Sequence, residues 1–289
     1  NNPYLGNPGE ASAEASLTRA AVSRQITVVG AGPAGLEAAW VAAARGHQVT
    51  LYGASPSPGG RLRLDAALPG RSAVGAIVEY QHQRVQHFGV KLRFGKPVDG
   101  DTVLAGAPDV VVLATGASLR PPPSLLSDGD SVTAADAYVL RNRIHARKGR
   151  ALFFDMDHGA SAYAIIDLMM QDFEQVVLIT PRPQIAQNVN YCSAIGVQRR
   201  LYEAEVEIIV AHDLIDYRDK VVTCRNVFTG KDRLFEAIEE VIFVTPRTVT
   251  DVLGPMLSEH VTLYRIGDCQ SPRHLLAAIH GGHHIGLSL

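Results

Sequence analysis

Cysteine is scarce: there are three in 289 residues, at 192, 224 and 269, and no two are close in sequence. That excludes a disulfide framework and a Cys-x-x-Cys metal or redox site, and reads as buried, reduced thiols in a cytoplasmic protein. Charge of either sign is not in excess, with 27 Lys and Arg against 29 Asp and Glu. No basic field is therefore present to draw nucleic acid or an anionic membrane. Long apolar runs are also missing. None approaches the roughly 18 residues of a membrane span, and residues 1–20 contain no apolar segment of the signal-peptide kind. There is no G-x-S-x-G elbow, so a Ser–His–Asp hydrolase has no nucleophile. The chain is nevertheless 46% hydrophobic, enough for one large or two ordinary domains with a substantial core.

The chain is organised around Ile26-Thr27-Val28-Val29-Gly30-Ala31-Gly32-Pro33-Ala34-Gly35. A β-branched run enters a G-x-G-x-x-G turn, and an Ala-rich helix over Pro33 to Arg45, with an apolar face at 38–44, leaves it. Gly30 permits the tight turn, Gly32 lets a pyrophosphate approach the backbone, and Gly35 lets the helix pack close to the strand. The helix then aims its N-terminal N–H groups and positive dipole end at the phosphates. A second strand follows at 48–52. The acid that bonds the adenosine ribose is expected at its end, but Gly53 follows Tyr52. The nucleotide is then held without that carboxylate, held weakly, or not bound.

Residues 1–23 read as an extended lead-in. The loop Ser55-Pro56-Ser57-Pro58 ends in Gly59-Gly60-Arg61-Leu62, a second place where backbone can approach phosphate. Helical spacing over 71–88 ends at Gly89, and 90–94 alternates like a strand. In Asp109–Gly116 the residues from Val110 to Ala114 form a continuous apolar run, as expected for a parallel strand covered on both faces, which closes in Ala114-Thr115-Gly116. The triproline 121–123 reads as a stiff boundary. A second α/β block starts near Ser131, with a helix at 134–140, a strand at 151–155, a helix at 160–170 and a strand at 175–180. Strands at 206–210 and 241–245 and a hairpin around 220–229 follow. Val261–Ile266 is a strand, Gly267-Asp268 a turn, and 273–289 a helix.

In the second block the glycine frame falls on Asp155-Met156-Asp157-His158-Gly159-Ala160. Aspartates replace the first two glycines. Their side chains fill the phosphate space, and like charges at close range repel by several kcal/mol at an effective dielectric of about 20. An aspartate is instead a good helix cap. This block reads as a nucleotide fold that has lost its nucleotide. The rival readings are a nicotinamide dinucleotide held unusually, or a metal on Asp155 and Asp157. Arg182 reads as a surface charge. His280, His283 and His284 read as surface or flavin-edge histidines rather than metal ligands, because Gly281-Gly282 disrupt a rigid helix. Trp40, Tyr163, Met169 and Met170 read as core.

Several segments in order carry a resemblance: Val-Val-Gly-Ala-Gly-Pro-Ala-Gly-Leu-Glu-Ala-Ala (28–39), Arg-Gly-His-Gln-Val-Thr-Leu (45–51), Gly-Gly-Arg-Leu (59–62), Ala-Thr-Gly (114–116) and the Ile-Gly-Asp-Cys to Gly-Gly-His stretch (266–283). Together they resemble the C-terminal half of the trimethylamine dehydrogenase, histamine dehydrogenase and 2,4-dienoyl-CoA reductase family. Val177-Leu178-Ile179-Thr180-Pro181, residues 198–201 and the Asp-x-Asp turn look like the amine dehydrogenase branch. The resemblance implies an α/β fold of two interleaved Rossmann-like three-layer domains, of the two-dinucleotide flavoprotein type. Residues 24–120 with 252–289 would form an FAD- or ADP-binding domain, and 121–251 a degenerate NAD(P)-type domain. The implied first site comprises Gly30, Gly32, Pro33, Ala34 and Gly35, then Tyr52 and Gly53, then Gly59, Gly60, Arg61 and Leu62. It closes with Ala114, Thr115 and Gly116 and with Gly267 and Asp268, the last approaching a flavin or serving only as a turn aspartate.

In that family a (β/α)₈ barrel carries FMN and the substrate site, beside a four-cysteine [4Fe–4S] segment. The amine dehydrogenases hold ADP in the first nucleotide domain, leave the second empty, and pass electrons to an electron-transferring flavoprotein. This chain shows neither barrel nor cysteine motif, and residues 2–10 resemble the segment just past the last cluster cysteine. The barrel would then belong to the same longer polypeptide or to a separate subunit, and hetero- or homo-oligomers are expected. The expected function is a nucleotide-binding redox module of a flavin-dependent amine dehydrogenase- or demethylase-like oxidoreductase, with no catalytic residue of its own. The alternatives are a self-sufficient FAD- and NAD(P)H-dependent reductase and a scaffold with empty sites.

Overall fold

In the computed structural model, which describes residues 17–122, 125, 132–141, 148–249 and 251–289, the β-branched run forms β1 (Gln25–Val29), buried from Ile26 onward. Helix α1 (Pro33–Ala44) and β2 (Gln48–Gly53) complete a parallel βαβ unit. Two helices, α2 (Leu62–Ala66) and α3 (Gly75–His87), lead to β3 (Lys91–Phe94). A short α4 (Gly100–Ala105) starts where the Asp99 carboxylate accepts from the Thr102 N–H at 2.8 Å. Strands β4 (Val110–Leu113) and β5 (Ala117–Ser118) follow.

The second stretch holds β6 (Val132–Ala134), α5 (Ala135–Leu140), β7 (Lys148–Asp155), α6 (Ala160–Asp172), β8 (Phe173–Ile179), α7 (Tyr191–Glu203) and β9 (Glu207–Ile209). Three antiparallel strands, β10 (His212–Arg218), β11 (Val221–Asn226) and β12 (Asp232–Phe235), stand where the sequence suggests a single hairpin. Strand β13 (Ile238–Val244) ends the stretch. The chain closes with β14 (Thr248–Val249), α8 (Gly254–Leu257), β15 (Thr262–Arg265) and α9 (Leu275–Ser288).

The chain divides into two compact units. One takes the described residues up to Ala66, Ala73–Ser118 and Thr248–Leu289; the other takes Ala67–Ser72 and Leu119–Arg247. The first unit carries a parallel sheet in the order β15-β4-β1-β2-β3, and the second a parallel sheet in the order β6-β13-β7-β8-β9. In the second unit α5, α6 and α7 cover one face of the sheet and β10–β12 the other. The central strand β4 reads as an unbroken apolar run, and β1 is buried from Ile26 to Val29, because both faces of the sheet are covered.

In the first unit α1 lies between the sheet and two other helices, α3 and α9. It is buried from Ala34 to Val41 and on to Ala42, so it is not the amphipathic helix its Ala-rich face suggests; helices distant in sequence cover its other side. Trp40 stacks on Phe88 with centroids 6.1 Å apart, under the Arg84 guanidinium at 4.8 Å from the indole. The described end of the lead-in is stitched to this unit. Leu17 packs on its core, and the Ala20 N–H donates to the Arg45 carbonyl at 2.9 Å. The rest of the lead-in and Pro123 of the triproline lie outside the described residues.

The second unit's glycine-less turn differs from its sequence reading. Neither aspartate caps α6, whose N-cap is Gly159. Strand β7 continues through Asp155, which places that carboxylate inside the unit at 0% exposure. Its Oδ1 accepts from the Asp157 and His158 N–H groups, each at 2.9 Å, and its Oδ2 accepts from the Tyr163 hydroxyl at 2.9 Å. That hydroxyl in turn accepts from the Ala186 N–H. His158, at a left-handed φ of 60°, sets Nε2 3.2 Å from Thr180 Oγ1. Burial pushes the Asp155 carboxyl above its usual range, against the pull of His158 and these donors. Asp157 lies at the start of α6, where its Oδ2 accepts from the Gly159 N–H at 3.1 Å.

Two predictions come from this core. Asp155→Ala leaves two backbone N–H groups and a buried hydroxyl without their acceptor, and is expected to lower unfolding free energy by about 3 kcal/mol in urea titration. A loss below about 1 kcal/mol would mean that the carboxylate does not hold the turn. The second concerns the thiols. Cys192 is exposed while Cys224 and Cys269 are buried, and burial pushes the Cys224 thiol up to about 12, so it stays protonated at pH 8. An aromatic disulfide reagent should titrate one thiol in the folded protein and all three after unfolding; a second fast-reacting thiol would contradict the packing.

Candidate functional site

The first unit's sheet order places a topological switch point at the carboxyl ends of β1 and β4, where open α/β sheets bind ligands. The residues singled out in the sequence meet there. Gly30, at φ 114°, donates its N–H to the Tyr52 carbonyl at 2.8 Å, and a side chain on it would fall on the Ala114 carbonyl. A Cβ on Gly35 would fall on the Gly30 carbonyl oxygen and stand 3.1 Å from Ala114 Cβ. Packing within the protein thus accounts for both glycines.

Gly32 is different. Its φ is −78°, which any residue adopts, and a Cβ there would meet nothing within 4 Å. Nothing among the described residues needs glycine at this position, and the backbone there stands open to close approach. Gly32 is also the N-cap of α1, with no side-chain cap and Pro33 following. The first-turn N–H groups and the positive end of the helix dipole are left for an anion.

Three further segments surround this opening. The Gly59 N–H donates to the Ala31 carbonyl at 2.7 Å, and a Cβ on Gly60 would stand 3.1 Å from Gly32 Cα, so the Gly-Gly loop lies against the turn. Leu62, buried, anchors that loop as α2 begins. On the β4 side, the Ala114 N–H donates to the Val29 carbonyl at 2.7 Å, Thr115 Oγ1 donates to Cys269 Sγ at 3.2 Å, and Gly116 turns the chain at φ 82°. From the end of β15, a Cβ on Gly267 would stand 2.8 Å from Ala34 Cβ. Asp268 accepts from Arg61 at 2.9 Å and from the Arg273 N–H at 3.1 Å. The Arg61 guanidinium is 45% exposed, so an ion pair of this kind contributes little and opens easily.

Two features were not foreseen. Glu37, just inside α1, is 2% exposed and accepts from Gln81 at 2.8 Å and from His283 at 3.0 Å, tying α1 to α3 and α9. His283 is therefore neither a surface nor a flavin-edge residue. Its only sequence signal was a glutamate in an otherwise apolar helix, with partners 44 and 246 residues away. The second is Phe94, whose ring stands beside Gly53. Helix α9 also runs unbroken through Gly281 and Gly282; a Cβ at Gly282 would fall on the Ala34 carbonyl, so the small residue serves close helix packing.

In the second unit the equivalent turn is filled by its own side chains, with Asp157 Oδ2 2.6 Å from where a Gly159 Cβ would lie. A cleft of about 500 Å³ lined by Arg150, Phe173, Glu174 and Glu207 sits instead at the amino ends of β7, β8 and β9, the wrong ends for a dinucleotide. Among the described residues, no group of three or more His, Cys, Asp or Glu is placed to hold a metal, and no helix is long and apolar enough to cross a membrane.

Comparison with known proteins agrees with this architecture. Residues 24–151 match the family model of pyridine nucleotide-disulphide oxidoreductases. The chain is 30% identical over 200 residues to a probable N-methylproline demethylase of Rhizobium meliloti (strain 1021), covering 69% of this chain and 29% of that protein. It is 28% identical over 318 residues to an N,N-dimethylglycine/sarcosine dehydrogenase of Chromohalobacter salexigens, covering 96% and 45%. A solved histamine dehydrogenase from Rhizobium sp. 4-9 superposes with a TM-score of 0.86 at 26% identity, over 94% of this chain and 42% of that one. The chain thus spans less than half the length of these relatives. It has the Rossmann-like fold of the pyridine nucleotide-disulphide oxidoreductases and is related to oxidoreductases of the amine and sarcosine dehydrogenase kind.

Proposed function

We propose that this chain is the nucleotide-binding module of a flavin-dependent oxidoreductase of the amine dehydrogenase or demethylase kind, and that its first unit holds FAD or ADP. The observation that carries this reading is the open space at Gly32, beside the uncapped start of α1. On this reading Gly30 and Gly35 shape the turn, and the first-turn N–H groups of α1 receive the pyrophosphate. Arg61 adds a cation once freed from Asp268, while Thr115, Gly116, Gly267 and Asp268 line the far end. A flavin held there would supply reversible electron transfer; an ADP would be structural.

The second unit stays empty, because the buried Asp155 and the Asp157 carboxylate occupy its turn. That closed turn argues against a self-sufficient NAD(P)H-dependent reductase. Substrate oxidation, with FMN and a [4Fe–4S] cluster, falls to a (β/α)₈-barrel module or subunit, in keeping with the 29–45% of each relative that this chain covers. Electrons leave to an external acceptor such as an electron-transferring flavoprotein. The reduced thiols suit the cytoplasm.

The test is to denature the purified chain and identify any released nucleotide by chromatography, beside the variant Gly32→Glu. Because position 32 has room for a side chain, the variant should fold with an unchanged nucleotide-free melting temperature. Its carboxylate at the phosphate place should weaken ADP binding by about a hundredfold or more. One nucleotide per chain, lost in the variant, is the expected result. No release and no binding by the unaltered chain would reject the reading and leave a scaffold.

A further inference from the structure

Position 53 ends β2, where a dinucleotide fold carries the carboxylate that accepts from the adenosine ribose hydroxyls. Gly53 has no such group, and the reason lies in its neighbours. A Cβ on it would stand 2.9 Å from Ala31 Cβ, inside the glycine turn, and 2.9 Å from Phe94 Cδ1. Phe94 is the register partner of Gly53 on the adjacent strand, half-buried on the first unit's core. The strand end is also pinned, since the Gly95 N–H donates to the Gly53 carbonyl at 3.0 Å and to the Ser55 carbonyl at 3.1 Å. No side chain can leave position 53 unless the aromatic ring or the turn moves.

The geometry points to Phe94 as the residue that takes the carboxylate's place and presents an apolar wall to the ribose, so that the site binds adenine nucleotides without reading their ribose hydroxyls. This rests on the proposed nucleotide reading of the first unit. Affinity then comes from the phosphates at Gly32 and the start of α1 and from apolar contact. A hydrogen bond to a charged acceptor would otherwise give at least about tenfold discrimination against a missing hydroxyl. Phe94 is here a specificity-determining residue through what it excludes.

The experiment measures binding of ADP and 2′-deoxy-ADP to the 289-residue chain freed of nucleotide, by calorimetry. The expected dissociation constants agree within about threefold. In the double variant Gly53→Asp, Phe94→Ala, which supplies an acid and removes the ring from its path, leaving the Ala31 contact to be relieved by a small shift of the turn, the ratio should rise to about tenfold or more in favour of ADP. Should that variant fail to fold by circular dichroism, Phe94→Ala alone is expected to weaken both nucleotides equally. A tenfold preference for ADP in the unaltered chain would overturn the inference while leaving the nucleotide reading in place. Selective loss of one nucleotide in Phe94→Ala would do the same. Absence of binding by either nucleotide to the unaltered chain would overturn both.

Discussion

Close approach of α1 to what surrounds it is the constraint on which the first unit depends. On one side the helix reaches the end of β1 and β4 only because Gly30 and Gly35 lack side chains. On the other side α9 reaches α1 only because Gly282 and Gly286 do: a Cβ at Gly286 would stand 2.7 Å from Val41 Cβ. Interiors packed at crystal-like density leave no slack for an added methylene. The glycines therefore fix where α1 begins, and that start is what faces the opening at Gly32. The Glu37–Gln81–His283 set then locks the helix against sliding, with a buried carboxylate whose oxygens each find a donor.

The two units treat the N–H groups of equivalent turns in opposite ways. Each has a central strand, a turn at its carboxyl end and a helix starting beyond it. In the first, the turn is bare backbone and the helix start is uncapped. In the second, the chain brings its own acceptors: Asp155 takes the two N–H groups of the turn, and Asp157 takes the N–H of Gly159. An intramolecular carboxylate is held there without the translational cost that a free anion meets. The second turn satisfies its own donors; the first leaves them to something else.

Much of this was legible in the chain. The run 26–35 declares strand, turn and helix within ten residues, and the apolar stretch before Ala114 declares a covered parallel strand, because both signals are local. Illegible features depend on partners far away. Phe94 opposes Gly53 through strand register, and the alternation of 91–94 gives a face but no neighbour. The burial of α1 all round was hidden because its outer cover, α9, lies at the other end of the chain. Strand β12 and helix α4 were passed over for a different reason: four to six residues hold too little periodicity. The expected aspartate cap fails because the Asp155 partners, the Tyr163 hydroxyl and the turn N–H groups, are set by packing that the spacing of two aspartates does not show.

The Arg61–Asp268 contact joins residues 207 positions apart, and between them lies the whole second unit. During synthesis at about 5–20 residues per second, β1, α1 and β2 leave the ribosome roughly 10–40 s before Gly267, Asp268 and α9. Through that interval α3 can already cover Trp40, but the side of α1 at Ala38 and Val41 that α9 covers has no helix to lie against. The first unit is thus started first and finished last. The α9-facing side of its apolar helix must wait exposed, or sheltered by a chaperone, while a complete second unit folds.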